Sequence, residues 1–251
     1  MNDYEMIFKR KSFHVFRNIE QINDQELEEL QSFIQNIQPL DESIPYSIKI
    51  VSEGKRGSQY CIEFYSEEKG NYLRNIGYIG EQIDLWLAKK NIGSLWFGIG
   101  RPEEKQEGNQ QFVIMMAIAK MPENSFRKDM FKAKRKSLEE IWQGEQLPLS
   151  NIIRFAPSAC NTQPWKVEHR EGILNIYRYK KPGKRGIMPL DKVTYYNRID
   201  IGIFLYFLET CLIHDGYVFE SVQYFEDEED VEQVLVVQYK ISKEKGGRIY
   251  E

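Results

Sequence analysis

Ala156-Pro157-Ser158-Ala159-Cys160-Asn161-Thr162-Gln163-Pro164-Trp165 is the stretch on which the reading of this chain turns. Its two prolines each fix their own φ, so the segment is a loop of set shape. It follows Leu149–Phe155, which reads as the end of a helix, and leads into Trp165–His169, which reads as a strand. Small residues allow close backbone approach to a flat ring. Ser158, Asn161 and Gln163 offer donors and acceptors for an imide-like edge. A rigid connector with Trp165 plugging a core would explain the prolines and the tryptophan. It would not explain three hydroxyl or amide side chains in one tight loop.

Ile173–Arg178 reads as a second strand, turned by Glu171-Gly172. Ile199–Ile213 is a strongly apolar helix stopped by Gly216. Tyr217–Phe225 and Val231–Ser242 are strands flanking the acidic run Glu226–Asp230, read as a solvated hairpin loop. The first half runs in the same order. Asn23 caps a helix carrying Leu27, Leu30, Phe33, Ile34 and Ile37 at helical spacing. Tyr46–Val51 and Tyr60–Tyr65 are strands with Gly54 and Gly57 between them. Ile76–Lys90 is a buried helix stopped by Asn91 and Gly93, and Phe112–Ala119 is a strand buried on both faces. The run from Gly80 to Gly93 answers the run from Gly202 to Gly216, which suggests a duplicated unit and a pseudo-twofold axis.

Composition narrows the function. The 34 Lys+Arg against 38 Asp+Glu leave a net charge of −4, which argues against a nucleic-acid partner. The 13% aromatic content excludes a disordered chain. No stretch approaches the ~20 apolar residues of a membrane span, and the N-terminus does not read as a signal peptide. Cys61, Cys160 and Cys211 have neither metal nor disulfide spacing, which predicts a cytoplasmic setting. No P-loop, G-x-S-x-G, H-E-x-x-H or C-x-x-C motif is present, and no metal site is expected. His169 reads as a surface residue and His214 as a neighbour of a helix C-cap. Difficult chemistry in such a chain would come from a bound cofactor.

A second segment, Arg10-Lys11-Ser12-Phe13-His14, packs two cations and a hydroxyl into three residues, a candidate phosphate clamp. Pro157-Ser158-Ala159-Cys160-Asn161-Thr162-Gln163-Pro164-Trp165 resembles the P-S-x-x-N-x-Q-P-W signature of the nitroreductase family of FMN-dependent oxidoreductases. Arg10-Lys11-Ser12 resembles that family's R-R-S motif. Asn91–Gly98 is similar to its G-L-G-x-x-W-x-G loop, and Lys134–Glu140 to its basic segment after the last core strand.

The resemblance implies an α+β fold of two pseudo-twofold-related halves, 1–136 and 137–251. Each would be a mainly antiparallel sheet flanked by helices. It also implies FMN as cofactor and NADH or NADPH as reductant. Hydride would pass through flavin N5 to a nitroaromatic, quinone or similar small-molecule acceptor. Arg10 and Ser12 would hold the phosphate with Lys134 or Arg135, while Lys11 and His14 reach the ribityl or pyrimidine side. Pro157, Ser158, Ala159, Asn161 and Gln163 would contact the flavin, and N–H groups around Phe97 and Gly98 would face N5 and O4. Ordinary members are homodimers with both subunits contributing to each site. Here the first half has the clamp but Gln38-Pro39-Leu40-Asp41 in place of the proline signature, and the second half has the signature without the clamp. The halves are complementary, as in a fused chain that mimics the dimer and can work as a monomer. A non-catalytic flavin- or small-molecule-binding scaffold is the alternative, and reductive dehalogenation a third possibility.

Overall fold

Asn2 and Asn23 open the first two helices by the same chemistry, each side-chain oxygen accepting the N–H three residues on, at 3.1 Å from Glu5 and 2.9 Å from Glu26. The computed structural model describes residues 2–179, 186, 188–227 and 231–243. In it these caps begin α1 (Asp3–Lys9) and α2 (Asp24–Gln35), with Glu26 completing a capping box at Asn23. The chain divides into two compact units, Met1–Lys132 and Ala133–Glu251.

In unit 1, β1 (Tyr46–Val51) and β2 (Tyr60–Ser66) pair antiparallel as their sequence predicts. Then come α3 (Tyr72–Lys89), β3 (Ile92–Trp96), β4 (Gln106–Glu107) and β5 (Gln110–Lys120). The sheet order is β1-β2-β5-β3, with β4 on β5. β5 is central, and its Val113–Ala119 core is buried, as an apolar run between two neighbours must be. Asn91, at φ +58°, ends α3 in the left-handed region that closes helices. Gly93 does not stop the helix: it lies inside β3, so most of the stretch expected as a loop, Asn91–Gly98, is edge strand. The Trp96 ring packs so closely on Gly80 that a Cβ there would stand 2.2 Å from a ring carbon. That contact fixes the distance between β3 and α3.

Unit 2 holds α4 (Leu138–Ile141), β6 (Trp142–Gly144), α5 (Ser150–Ile153), β7 (Trp165–Arg170) and β8 (Ile173–Tyr179). It continues with α6 (Val193–His214), β9 (Tyr217–Tyr224) and β10 (Gln233–Lys243). The order is β6-β7-β8-β10-β9, with β6 parallel to β7 and the remaining pairs antiparallel. Glu171 and Gly172, both at positive φ, turn the β7–β8 hairpin with the twist such a two-residue loop needs. α6 is buried along most of its length, which its nearly unbroken apolar sequence requires.

With β4 and β6 set aside, the strand orders β1-β2-β5-β3 and β7-β8-β10-β9 are the same, each with its long helix between the second and third strands in chain order. The left-handed residues ending the two helices, Asn91 and Gly216, align Gly77 with Gly202. The register read from sequence, Gly80 with Gly202, is therefore three residues off.

Two side chains depart from expectation. His169 is not on the surface: it is 4% exposed, with Nδ1 2.9 Å from the Glu145 carbonyl and its ring edge-on to Trp142. The alternation of β7 puts it on the buried face with Trp165 and Val167. Asp227, in the run expected to be solvated, is 3% exposed at its side chain and pairs with the fully buried Arg178 at 2.7 Å. Residues 228–230 of that run lie outside the described residues.

Candidate functional site

The first cluster is built in unit 1, where Arg10 follows α1 and the next residues run alongside β3. Ser12 bridges Ser94 in parallel, and the Phe13 N–H donates to the Ser94 carbonyl at 2.9 Å. This turns the Arg10 side chain into the space between β3 and α3. Its Nε donates to Asp84 Oδ2 at 2.7 Å, and Nη2 donates to Ser12 Oγ at 3.0 Å. The Arg10 and Asp84 side chains are 3% and 0% exposed. Asp84 also accepts from Ser94 Oγ and from Trp96 Nε1. Burial opposes the charge on Arg10, but Asp84 more than offsets it, so its pKa is raised.

Glu81 stands one turn before Asp84 on the same helix, fully buried, with neither carboxyl oxygen hydrogen-bonded. Burial first, then the Asp84 charge, push its pKa well above the usual carboxylate range against the opposing pull of Arg10. Burial thus favours the neutral form of Glu81. Arg127 completes it. Burial, and then the charge of Arg10, lower the Arg127 pKa to about 10, and its guanidinium has no hydrogen-bond or ion-pair partner among the described residues.

The remaining predicted residues of unit 1 are placed differently. Lys11 Nζ donates to the Ser125 carbonyl at 2.5 Å and lies over the Phe13 ring. His14 is exposed. The Phe97 N–H donates to the Met115 carbonyl at 2.8 Å, continuing the β3–β5 ladder, so it is not available to a flavin. That corrects the expectation for Phe97, whose ring instead faces the Arg56 guanidinium. Gly98 follows it in the same turn.

In unit 2 the proline-flanked loop is a short 3-10 turn, Ala159–Asn161, in an unusual backbone conformation. Cys160, Asn161 and Gln163 all have positive φ, at +49°, +56° and +47°. Non-glycine residues hold such angles only when their surroundings impose them. The hydrogen bonds that do so are local. Ser158 Oγ accepts from the Gln163 N–H at 3.0 Å. Gln163 Nε2 donates to the Asn161 carbonyl at 3.1 Å, and Gln163 Oε1 accepts from the Lys136 N–H at 2.8 Å. Asn161 Nδ2 donates to the Lys134 carbonyl at 3.1 Å, and Asn161 Oδ1 accepts from Arg135 Nη1 at 2.8 Å. The basic segment 134–136 is thus laced to the loop within unit 2.

Of the predicted residues, the structure brings Ser158, Asn161, Gln163, Lys134 and Arg135 into one network. Pro157 is buried beneath it, while Ser158 and Ala159 are half-buried. Asn161 and Gln163 have their amides engaged in shaping the loop, the role that sequence alone did not assign them. Behind the loop, Asp200 of α6 accepts the Ala159 N–H at 2.8 Å through Oδ1, with Thr162 Oγ1 3.3 Å from Oδ2.

Asp84, Glu81, Arg127 and Asp200 were missed as site residues. The signal for both aspartates is in the sequence: each is an acid flanked on both sides by aliphatic residues of a helix, Ile83-Asp84-Leu85 and Ile199-Asp200-Ile201. A buried carboxyl needs a partner, so each had to face a donor.

A family profile described as "Putative TM nitroreductase" matches residues 2–211. The chain belongs to this nitroreductase family. A nitroreductase-titled structure from Thermotoga maritima is 19% identical, covering 96% of this chain and 94% of that one, with a TM-score of 0.64, and so shares the fold. A nitroreductase with bound FMN from Desulfitobacterium hafniense is 14% identical over 55% of this chain and 100% of that one, TM-score 0.40. An NADH oxidase-titled structure from Clostridium acetobutylicum is 16% identical over 57% and 99%, TM-score 0.44. A comparison with curated proteins gave no match. Among the described residues of this nitroreductase-family chain, no helix is long and apolar enough to cross a membrane, and no His/Cys/Asp/Glu group is arranged to hold a metal ion.

Unit 1 fits a flavin phosphate on charge. Arg10 and Arg127 are two guanidinium groups set beside Asp84 and the buried Glu81, whose neutral form burial favours. Arg10 uses Nε and Nη2 on Asp84 and Ser12, which leaves part of its five-donor fork for an anion.

Proposed function

We propose that this chain is an FMN-dependent NAD(P)H oxidoreductase, acting on nitroaromatic, quinone or similar small acceptors. We further propose that one flavin binds per chain, the monomer doing the work of the family dimer. The observation that carries this reading is the guanidinium of Arg127, without a hydrogen-bond or ion-pair partner among the described residues, on a residue whose N–H donates to the Lys9 carbonyl next to the Arg10–Asp84–Ser12 array. Family membership supports it.

FMN when bound would accept a hydride from the nicotinamide and deliver it to the acceptor. The chain's own residues bind and orient. Asp84 fixes the Arg10 fork from behind, so the fork's remaining edge meets a phosphate without reorganising. Arg127 adds a second charge-assisted donor. Ser158, whose oxygen already accepts from Gln163, keeps its O–H for a ribityl or ring acceptor. The left-handed turn at Cys160 and Asn161 sets the backbone at Ala159 where a flat ring can approach. No acid–base pair is needed, since hydride transfer asks only for position and exclusion of water.

A second reading, a flavin-binding scaffold without turnover, is favoured by the engagement of the Phe97 N–H and the Lys11 ammonium within unit 1. Stopped-flow mixing of the FMN-loaded protein with NADH and with NADPH separates the two. We expect flavin absorbance to bleach within seconds with at least one nicotinamide. Flavin that stays oxidised with both establishes the scaffold.

A further inference from the structure

Outside the cation cluster, the back of the proline-flanked loop repeats a feature of unit 1. Asn75 and Asp200 each stand sixteen residues before the left-handed residue that ends their helix, Asn91 in one unit and Gly216 in the other. Both are buried, at 1% and 2% exposed. Each reaches the backbone just after a proline. Asn75 Oδ1 accepts the N–H groups of Leu40 at 2.8 Å and Asp41 at 3.1 Å, following Pro39. Asp200 Oδ1 accepts the N–H of Ala159 at 2.8 Å, following Pro157. Both Asp41 and Ala159 lie two residues after their proline.

The two units therefore use the same device on loops whose sequences otherwise differ. From this recurrence we propose that Asp200 is the positioning residue of the proline-flanked loop, holding the Ala159 N–H through an acceptor oxygen as its amide counterpart Asn75 does for Asp41. What the position requires is an acceptor and not a charge.

Two further observations agree. The groups acting on the Asp200 carboxyl are the Ala159 N–H and the Thr162 hydroxyl, with no charged side chain among them; burial is the largest influence and raises its pKa to about 8. At neutral pH the group is then largely a neutral acid, with one acceptor oxygen and one O–H. An asparagine presents the same pair, and Asn75 uses both, its Nδ2 donating to the Asp41 carbonyl at 3.2 Å. The strained angles at Cys160, Asn161 and Gln163 also need an anchor, and Asp200 reaches the loop from the helix behind it, beyond the loop's own hydrogen bonds.

That the loop serves a flavin rests on the function proposed above; that Asp200 holds the loop does not. The test is amide hydrogen exchange of the full chain without flavin, read on peptides spanning 157–163 and corrected for intrinsic rates. The protected amides there are those of Ala159, Asn161, Thr162 and Gln163. Asp200→Asn should exchange within about twofold of the native chain. Asp200→Ala should exchange at least tenfold faster in the loop while peptides from the middle of α6 stay protected. Asp200→Leu, which fills the space but lacks an acceptor, should behave as Asp200→Ala and covers the case in which the alanine variant does not fold. An Asn variant as fast as the Leu variant, or a Leu variant as slow as the native chain, overturns the proposal. FMN titration of the same proteins is the separate arm: Asp200→Asn should bind within about threefold of native and Asp200→Leu at least tenfold more weakly. If the exchange result holds and no protein binds FMN, the flavin reading fails and the positioning role stands.

Discussion

Asp84→Ala will destabilise the protein by about 3–5 kcal/mol, the range for removing one partner of a buried ion pair. The Arg10 guanidinium is left charged at 3% side-chain exposure, with no other carboxylate hydrogen-bonded to it among the described residues. Ser94 Oγ and Trp96 Nε1 lose the same acceptor, so one substitution strands three donors. The loss falls where β3 meets α3, the contact closed by Trp96 on Gly80. Asp84→Asn keeps an acceptor for part of this set without the charge and should fall between native and Ala. Urea unfolding at pH 7 measures both. A loss below about 1 kcal/mol for Asp84→Ala would show that Arg10 is held by something other than this carboxylate. Glu81→Gln, by contrast, should cost little, because burial already favours the neutral form of the acid it replaces.

The second large effect is on pH dependence. Asp200 has a pKa of about 8 in the folded chain against an ordinary value of 3.8. Between those values the folded state holds a proton that the unfolded state has released. Stability therefore falls as pH rises through that window, and the loss is complete above about pH 8. Four pH units at 1.36 kcal/mol each set a ceiling of roughly 5 kcal/mol. Glu81 acts in the same direction. The native chain should thus be most stable on the acid side of neutrality. Asp200→Asn should remove most of this slope, melting close to native at pH 5 and clearly above it at pH 8.5. Parallel melting curves for the two proteins across pH 5–8.5 would mean that Asp200 is ionised in the fold.

Much of the fold was legible because its signals are local. Asn23 and Glu26 announce the start of α2, Glu171-Gly172 the β7–β8 turn, and the apolar run Phe112–Ala119 a central strand. Element boundaries moved by a few residues, and β3 was taken for a loop because Gly93 reads as a breaker when its neighbour on β5 is unknown. His169 and Asp227 were misplaced for a related reason. A single polar residue gives no indication of which face it occupies until the strand pairing or the distant arginine is known.

The site was legible to a different depth. The proline signature and the R-K-S segment were identifiable as motifs, but motif residues do not reveal their own supports. Asn161 and Gln163 were read as ligand contacts, whereas their amides are engaged with Lys134, Arg135, Lys136 and each other. Asp84, Arg127 and Asp200 lie far in sequence from the groups they act on, and only the fold brings them there.

Titration of the purified full chain with FMN, followed by quenching of flavin fluorescence, measures whether the protein holds one flavin. Binding should saturate at one FMN per chain. Arg10→Lys in unit 1, which keeps the charge but loses the fork, and Asn161→Ala in unit 2 should each weaken binding at least tenfold. Absence of saturable binding, or affinity unchanged by either substitution, would contradict the flavin proposal.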